Sequence, residues 1–316
     1  MSVSVVPTLD PQKFQDPFLT AKGERRAHVT LEALKTLWFN TGTLCNLTCE
    51  NCYIESSPRN DRLVYLTTSE VAEYLDEIER DGLGTELIGF TGGEPFMNPS
   101  LPAMLDEALS RGYRVLVLTN AMKPMHKKKA ALLALRGRYG DRLTIRVSID
   151  HYGPEVHERD RGRRSWPPTI DGFKWLAEND FSLNVASRYL SGEPEVELRR
   201  GFAQLFAELG VALDADDPVA LMIFPEMDAK VDVAEITEAC WGILHKSPTD
   251  VMCATARMVV KHKGAAHPTV VACTLLPYNP QFDLGRTLAT AGDTVQLNHP
   301  HCAKFCVLGG ATCARH

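Results

Sequence analysis

At 316 residues, the chain is long enough for one large core with a small appendage, or for two ordinary domains. Its residues are 44% hydrophobic and 23% charged, as in a globular protein, and a net charge of −6 argues against a broad nucleic-acid footprint. No basic leader with an apolar core opens the chain and no run of about 18 apolar residues occurs, so the expectation is a cytoplasmic protein with neither a membrane nor a nucleic-acid partner.

Residues 1–34, rich in Pro, Gln and Asp, are expected to form an irregular arm. Thereafter apolar runs alternate with segments of helical spacing. Strands are predicted at 36–40, 86–90, 114–118, 143–149, 182–188 and 219–224, and helices at 69–80, 101–111, 128–139, 170–178 and 195–209. Thr68 or Ser69 is the expected N-cap of the first helix. Such alternation implies a parallel sheet with right-handed crossovers. A closed eight-unit barrel needs about 250 residues. The shorter span here predicts an α/β fold, a partial (β/α)6 TIM-type barrel over 35–230, with a doubly wound sheet as the alternative. Residues 231–316 change to irregular Cys-, His- and Gly-containing sequence and are expected to form a smaller, Cys-rich domain. The basic residues 126–129, Arg136 and Arg138 read as a solvated helix face, and Arg159, Arg161, Arg163 and Arg164 as a solvated loop.

In either layout chemistry belongs in the loops after the carboxyl ends of the strands. A cysteine triplet follows strand one, Gly92-Gly93-Glu94 follows strand two and Asn120 follows strand three. Ser148 and Asp150 close strand four, and Arg188 closes strand five. Of nine cysteines, three fall at 45–52 and six after residue 239, which suggests two separate jobs. In a reducing compartment metal ligation or catalysis is favoured over disulfides. Cys45-x3-Cys49-x2-Cys52 puts three soft thiolates in one loop, suited to an iron–sulfur cluster, zinc or copper(I). Three ligands leave one iron of a four-iron cube open to an exogenous ligand. A zinc site completed by a remote His, or plain buried thiols, are the other readings.

The stretch Cys45-Asn46-Leu47-Thr48-Cys49-Glu50-Asn51-Cys52-Tyr53 resembles the signature of the radical S-adenosylmethionine (radical SAM) superfamily, in the form used by its branch with auxiliary-cluster (SPASM or twitch) domains. Phe90-Thr91-Gly92-Gly93-Glu94-Pro95 resembles that family's G-G-E-P motif. The resemblance covers roughly residues 35–225. It implies a [4Fe–4S] cluster on Cys45, Cys49 and Cys52 whose open iron chelates S-adenosylmethionine. It also implies reductive cleavage to a 5′-deoxyadenosyl radical that abstracts hydrogen from a small-molecule or peptide substrate, with a flavodoxin- or ferredoxin-type electron donor. On this resemblance Gly92 and Gly93 let the backbone approach the ligand, and Glu94 accepts from the methionine ammonium. Ser148 and Asp150 contact the carboxylate or ribose, Arg188 pairs with the carboxylate and Asn120 meets the ribose. Asn51 stands where the family usually has an aromatic residue, so the adenine contact falls to Tyr53 or a backbone group.

Cys253, Cys273, Cys302, Cys306 and Cys313 resemble the auxiliary domain, with 263–273 as its hairpin. They imply one auxiliary [4Fe–4S] cluster, since a complete SPASM domain needs more cysteines. Zinc is the alternative, and His299, His301 and His316 are further ligand candidates, expected to be exposed and uninvolved. Cys240 beside Trp241 reads as a buried thiol. Peptide-modifying relatives often carry an N-terminal leader-binding domain, and the short segment before strand one tilts the expectation to a small molecule or a leaderless peptide. The competing functions are a peptide (RiPP) maturase with a separate leader-binding protein and a non-catalytic iron–sulfur carrier. A zinc hydrolase lacks its His-Glu-x-x-His, and Gly82-Leu83-Gly84 lacks the third glycine of a nucleotide loop.

Overall fold

Apolar residues fill both faces of the predicted strands, and the two faces go to different cores. In the computed structural model, which describes residues 7–311, β1 is His28–Val29, β2 Thr36–Asn40, β3 Leu87–Thr91 and β4 Arg114–Thr119. The remaining strands are β5 Leu143–Ser148, β6 Ser182–Arg188, β7 Leu221–Phe224, β8 Ala256–Val260, β9 Thr269–Val271 and β10 Val295–Gln296. Leu37, Phe39, Ile88, Phe90, Val115 and Val117 join the core beneath the helices. Their neighbours Trp38, Leu87 and Leu116 join a second core shared with the C-terminal segment. This is the period-2 alternation of a sheet buried on both sides.

Strands β2 to β7 run parallel, each beside its neighbour in sequence. The order never reverses, as it would in a doubly wound sheet, so the partial (β/α)6 barrel is the fold. The helices α1 Thr68–Asp81, α2 Leu101–Ser110, α3 Lys123–His126, α4 Lys129–Tyr139, α5 Pro154–Arg161, α6 Trp166–Glu178 and α7 Glu195–Leu209 connect these strands, and α8 Cys240–Ile243 lies beyond them. Helix α1 buries Val71, Tyr74, Leu75 and Ile78, the i, i+3, i+4, i+7 stripe. Its N-cap is Thr67 rather than Thr68 or Ser69. A capping box needs an acid three residues on, and Glu70 supplies it. Helix α6 starts at Trp166, four residues earlier than predicted, because Pro167 and Pro168 fall in the first turn, where a missing N–H costs nothing. Helix α5 was not predicted at all.

The sheet does not stop where the barrel was expected to end. Strand β8 pairs in parallel with the outer edge of β2, from Thr36↔Ala256 to Phe39↔Val259, and β9 returns antiparallel beside β8. The expected hairpin before Cys273 is therefore present, and it continues the barrel sheet. The N-terminal arm is irregular, but β1 pairs with β10 and Arg26 pairs with Glu235 at 2.6 Å, their side chains 0% and 6% exposed. This buried ion pair straps the arm to the C-terminal segment. Among the described residues, no helix is long and apolar enough to cross a membrane.

Candidate active site

The cysteine loop leaves β2 and is pinned against the end of β3. Gly93 N donates to Gly42 O at 2.9 Å and Glu94 N to Leu44 O at 3.1 Å. A Cβ on Gly92, whose φ is +142°, would lie 2.5 Å from Gly42 O, and one on Gly93 would lie 2.4 Å from Leu44 O. The approach of the cysteine loop by itself requires both residues to be glycine, and both also line the cavity described next. They set where Cys45 sits.

Cys45, Cys49 and Cys52 face one cavity of about 150 Å³, together with Tyr53, Gly92, Gly93, Asn120, Ser148, Asp150 and Arg188. Burial pushes the Cys45 thiol up to about 12 and the Cys49 thiol to about 11. Leu47 N donates to Cys45 Sγ at 3.4 Å and Ser56 N to Cys52 Sγ at 3.3 Å, contacts that favour the thiolates a metal would bind.

Glu94 departs from expectation, for it lies beneath the cavity wall at 2% exposure. Its carboxylate accepts from Asn120 N and Thr119 Oγ1, each at 2.8 Å, and from Phe96 N at 3.2 Å, tying the end of β4 to the end of β3. All three donors are neutral, and burial lifts the acid to about 7. The Asn120 side chain is likewise engaged, donating to Asn46 Oδ1 and accepting from Met122 N.

The wall across from Glu94 carries paired charges. Asp150 is fully buried, and Arg161 grips it with a two-pronged fork at 2.6 and 2.9 Å. Burial opposes its ionisation, but the Arg161 guanidinium outweighs that and holds the Asp150 carboxyl below the usual range. Asp160 Oδ1 accepts from Asn51 N and Nδ2, Asp160 O accepts from Glu50 N, and Arg188 Nη1 donates to Asn51 O at 2.8 Å. Arg188 also lies 3.6 Å from Asp160 Oδ2. Asn51 therefore latches the loop between Cys49 and Cys52 to the end of α5. Burial, and then the neighbouring Asp150 charge, raise the Asp160 carboxyl.

The reading of Arg161 as a solvated residue is overturned. Only Arg159, Arg163 and Arg164 are exposed, whereas Arg161 lines the cavity and its side chain is 13% exposed. The available signal was Pro154 after Gly153 and Gly162 after Arg161, the start and stop of a short helix that turns one arginine inward.

A second, apolar cavity brings together Cys253, Cys273, Cys302 and Cys306. Leu275 lines both cavities. Cys302 and Cys306 come from a π-helix, Cys302–Leu308, whose widened turn suits residues four apart to one face. Burial lifts the Cys253 thiol to about 12 and raises that of Cys302 too. His301 lines this cavity at 6% exposure, so it is not the exposed residue that was expected. Cys313 and His316 lie outside the described residues. Cys240 is half-buried at the start of α8 and lines neither cavity. Among the described residues no three His, Cys, Asp or Glu gather closely enough to hold a single metal ion. A four-iron cube is larger than one ion and asks for a wider ring of thiols.

Comparison with known proteins places these observations. The sequence model described as the radical SAM superfamily matches residues 39–200. The antilisterial bacteriocin subtilosin biosynthesis protein AlbA of Bacillus subtilis is 33% identical over 143 residues, 45% of this chain and 30% of that protein. The AdoMet-dependent heme synthase of Methanosarcina barkeri is 29% identical over 172 residues, 52% of this chain and 45% of that one. The chain thus spans less than half the length of these curated relatives. Among solved structures, Streptococcus suis SuiB bound to S-adenosylmethionine aligns over 80% of this chain and 63% of its own, with a TM-score of 0.58 at 14% identity. SuiB bound to its precursor peptide SuiA gives 0.57 over 78% and 61%, at 13% identity. The structure of anSMEcpe with bound AdoMet covers 83% of both chains, with a TM-score of 0.59 at 13% identity. At such identities these likenesses concern the fold.

Proposed function

Since the chain belongs to the radical SAM superfamily, a family that works with a [4Fe–4S] cluster and S-adenosylmethionine, we propose that it is an enzyme which abstracts hydrogen from a small-molecule or peptide substrate and completes the reaction with an auxiliary [4Fe–4S] cluster. Bound together, the first cluster and S-adenosylmethionine supply one electron and a cleavable S–C5′ bond, and hence a 5′-deoxyadenosyl radical. Cys45, Cys49 and Cys52 hold that cluster in this reading. Arg188 and Arg161 offer guanidinium edges for the methionine carboxylate, and Asp150 keeps Arg161 in place. Ser148 and Asn120 serve the ribose, and Tyr53 the adenine. Gly92 and Gly93 act by seating the cysteine loop, and Glu94 by fixing the ends of β3 and β4. Cys253, Cys273, Cys302 and Cys306 hold the auxiliary cluster, with Cys313 as the spare thiol. The same proposal divides the chain into an arm at 1–34, a barrel at 35–230 and an auxiliary unit at 231–316. It takes electrons from a flavodoxin- or ferredoxin-type donor and works in the cytoplasm.

The observation that carries this reading is the gathering of three thiols and two paired guanidinium groups in one cavity at the carboxyl ends of the strands. Four of the six other thiols, those of Cys253, Cys273, Cys302 and Cys306, line the cavity behind the shared Leu275. A peptide substrate, met with a separate leader-binding protein, is the second reading. It is favoured by AlbA, named for bacteriocin biosynthesis, and by SuiB, crystallised with a precursor peptide.

Anaerobic reconstitution tests the proposal. About eight irons per chain, and 5′-deoxyadenosine on adding dithionite and S-adenosylmethionine, are expected. Iron without nucleoside release would favour a carrier and sink the enzyme.

A further inference from the structure

Strand β8 carries a cation that the proposed chemistry does not use. Arg257 has no exposed surface. Its Nε donates to Ala291 O at 2.7 Å, Nη1 to Ala256 O at 2.9 Å and to Cys253 O, and Nη2 to Asp293 O at 3.4 Å. All four acceptors are main-chain carbonyls. They take up its hydrogens without cancelling its charge. A buried cation without a net counter-charge is expensive, so its persistence calls for an anion nearby. Arg257 touches the second site directly, since Nη1 donates to the main-chain oxygen of Cys253, and ionised Cys253 and Cys273 thiols would favour its charge, as would the exposed Asp293. Those two thiols face the second cavity, whose remaining lining is apolar apart from His301 and the other two cysteines and includes no acid, lysine or arginine.

The first cavity is built differently. Its Arg161 is forked by Asp150, and Arg188 stands 3.6 Å from Asp160. Each cation there already has its acid.

We infer that Arg257 is the resident counter-cation of the Cys253, Cys273, Cys302 and Cys306 site, and that it sets the potential of the cluster held there above that of the cluster on Cys45, Cys49 and Cys52. The inference rests on the proposed auxiliary cluster. Reduction adds one electron and one negative charge to a cluster. A fixed cation in apolar surroundings favours the reduced form, and surroundings of low dielectric screen it little. Arg257 acts through the cluster and is a positioning residue, not a catalytic one.

The test uses the full chain with Cys45, Cys49 and Cys52 all replaced by Ala, so that only the second site loads. Iron counting comes first: about four irons are expected, and none would sink the auxiliary cluster itself and this inference with it. Redox titration followed by electron paramagnetic resonance then compares Arg257→Gln with Arg257→Lys. At a fixed applied potential, R257Q is expected to cut the reduced-to-oxidised ratio at least tenfold, a shift of about 59 mV for one electron. R257K keeps the charge and is expected to stay within about threefold of the parent. Loss of iron from R257Q with retention in R257K reads the same way, since charge is then what the site needs. Equal shifts or equal losses in the two variants would overturn the inference in favour of a purely structural fork. An unshifted R257Q overturns it outright, and so does a second-site potential below that of the first cluster in the parent protein.

Discussion

Two sets of thiols in this chain sit in opposite electrostatic surroundings. The cavity at the barrel mouth pairs buried acids with half-buried arginines, Asp150 with Arg161 and Asp160 with Arg188, and has a further acid, Glu94, beneath its wall. The cavity behind Leu275 is walled by apolar side chains and His301, with Arg257 among carbonyls as its flanking charge. The same soft ligand type is thus set in two fields, which on the proposed reading serve to grip a charged amino acid and to accept an electron. Ligand chemistry says that clusters fit; the groups around the ligands assign the work.

The largest test of this contrast is Cys49→Ala against Cys302→Ala. C49A is expected to lose about half of the iron and all 5′-deoxyadenosine release. C302A should lose iron as well yet still release the nucleoside, and equal loss of release in both would erase the distinction. Asp150→Asn comes next. It leaves a guanidinium facing a neutral amide, with an expected cost of about 3–5 kcal/mol in chemical denaturation. Weaker S-adenosylmethionine binding should accompany it, with the second site's iron unchanged.

A pH effect follows from Glu94. Its folded value is raised to about 7 from 4.5, so the folded state holds the proton after the unfolded chain has released it. Its contribution is therefore most favourable below about 4.5 and declines as pH rises to about 7, by up to about 3 kcal/mol. Denaturation of the metal-free protein across this range should show the decline, and Glu94→Gln should flatten it. The smallest expected change is Thr67→Ala, about 1 kcal/mol from loss of the α1 cap, with iron content at both sites unaffected.

The strands were legible because burial on both faces writes uninterrupted apolar runs such as Leu37-Trp38-Phe39. Helix α5 was not, since its eight residues are mostly charged and its inward arginine carries no periodic mark. The thiol triplet could be read from spacing and Gly92-Gly93 from the family resemblance, but their division of labour could not. Only the contacts at Gly42 and Leu44 reveal that the glycines serve the cysteine loop. Arg257 gave no signal in sequence, where it is one cation in an apolar strand. The joining of β8 to β2 is a pairing between distant segments, which local pattern does not encode.

That last pairing has a consequence for how the molecule is made. The outer rim of β2 finds its partner only when residues about 220 positions later have been synthesised. At roughly 5–20 residues per second, the rim waits some 10–40 s on the ribosome with bare amides and carbonyls. A nascent chain halted before Ala256 should be sticky, and one released after Val271 should not. In this sense residues 256–271 act as the chaperone of β2.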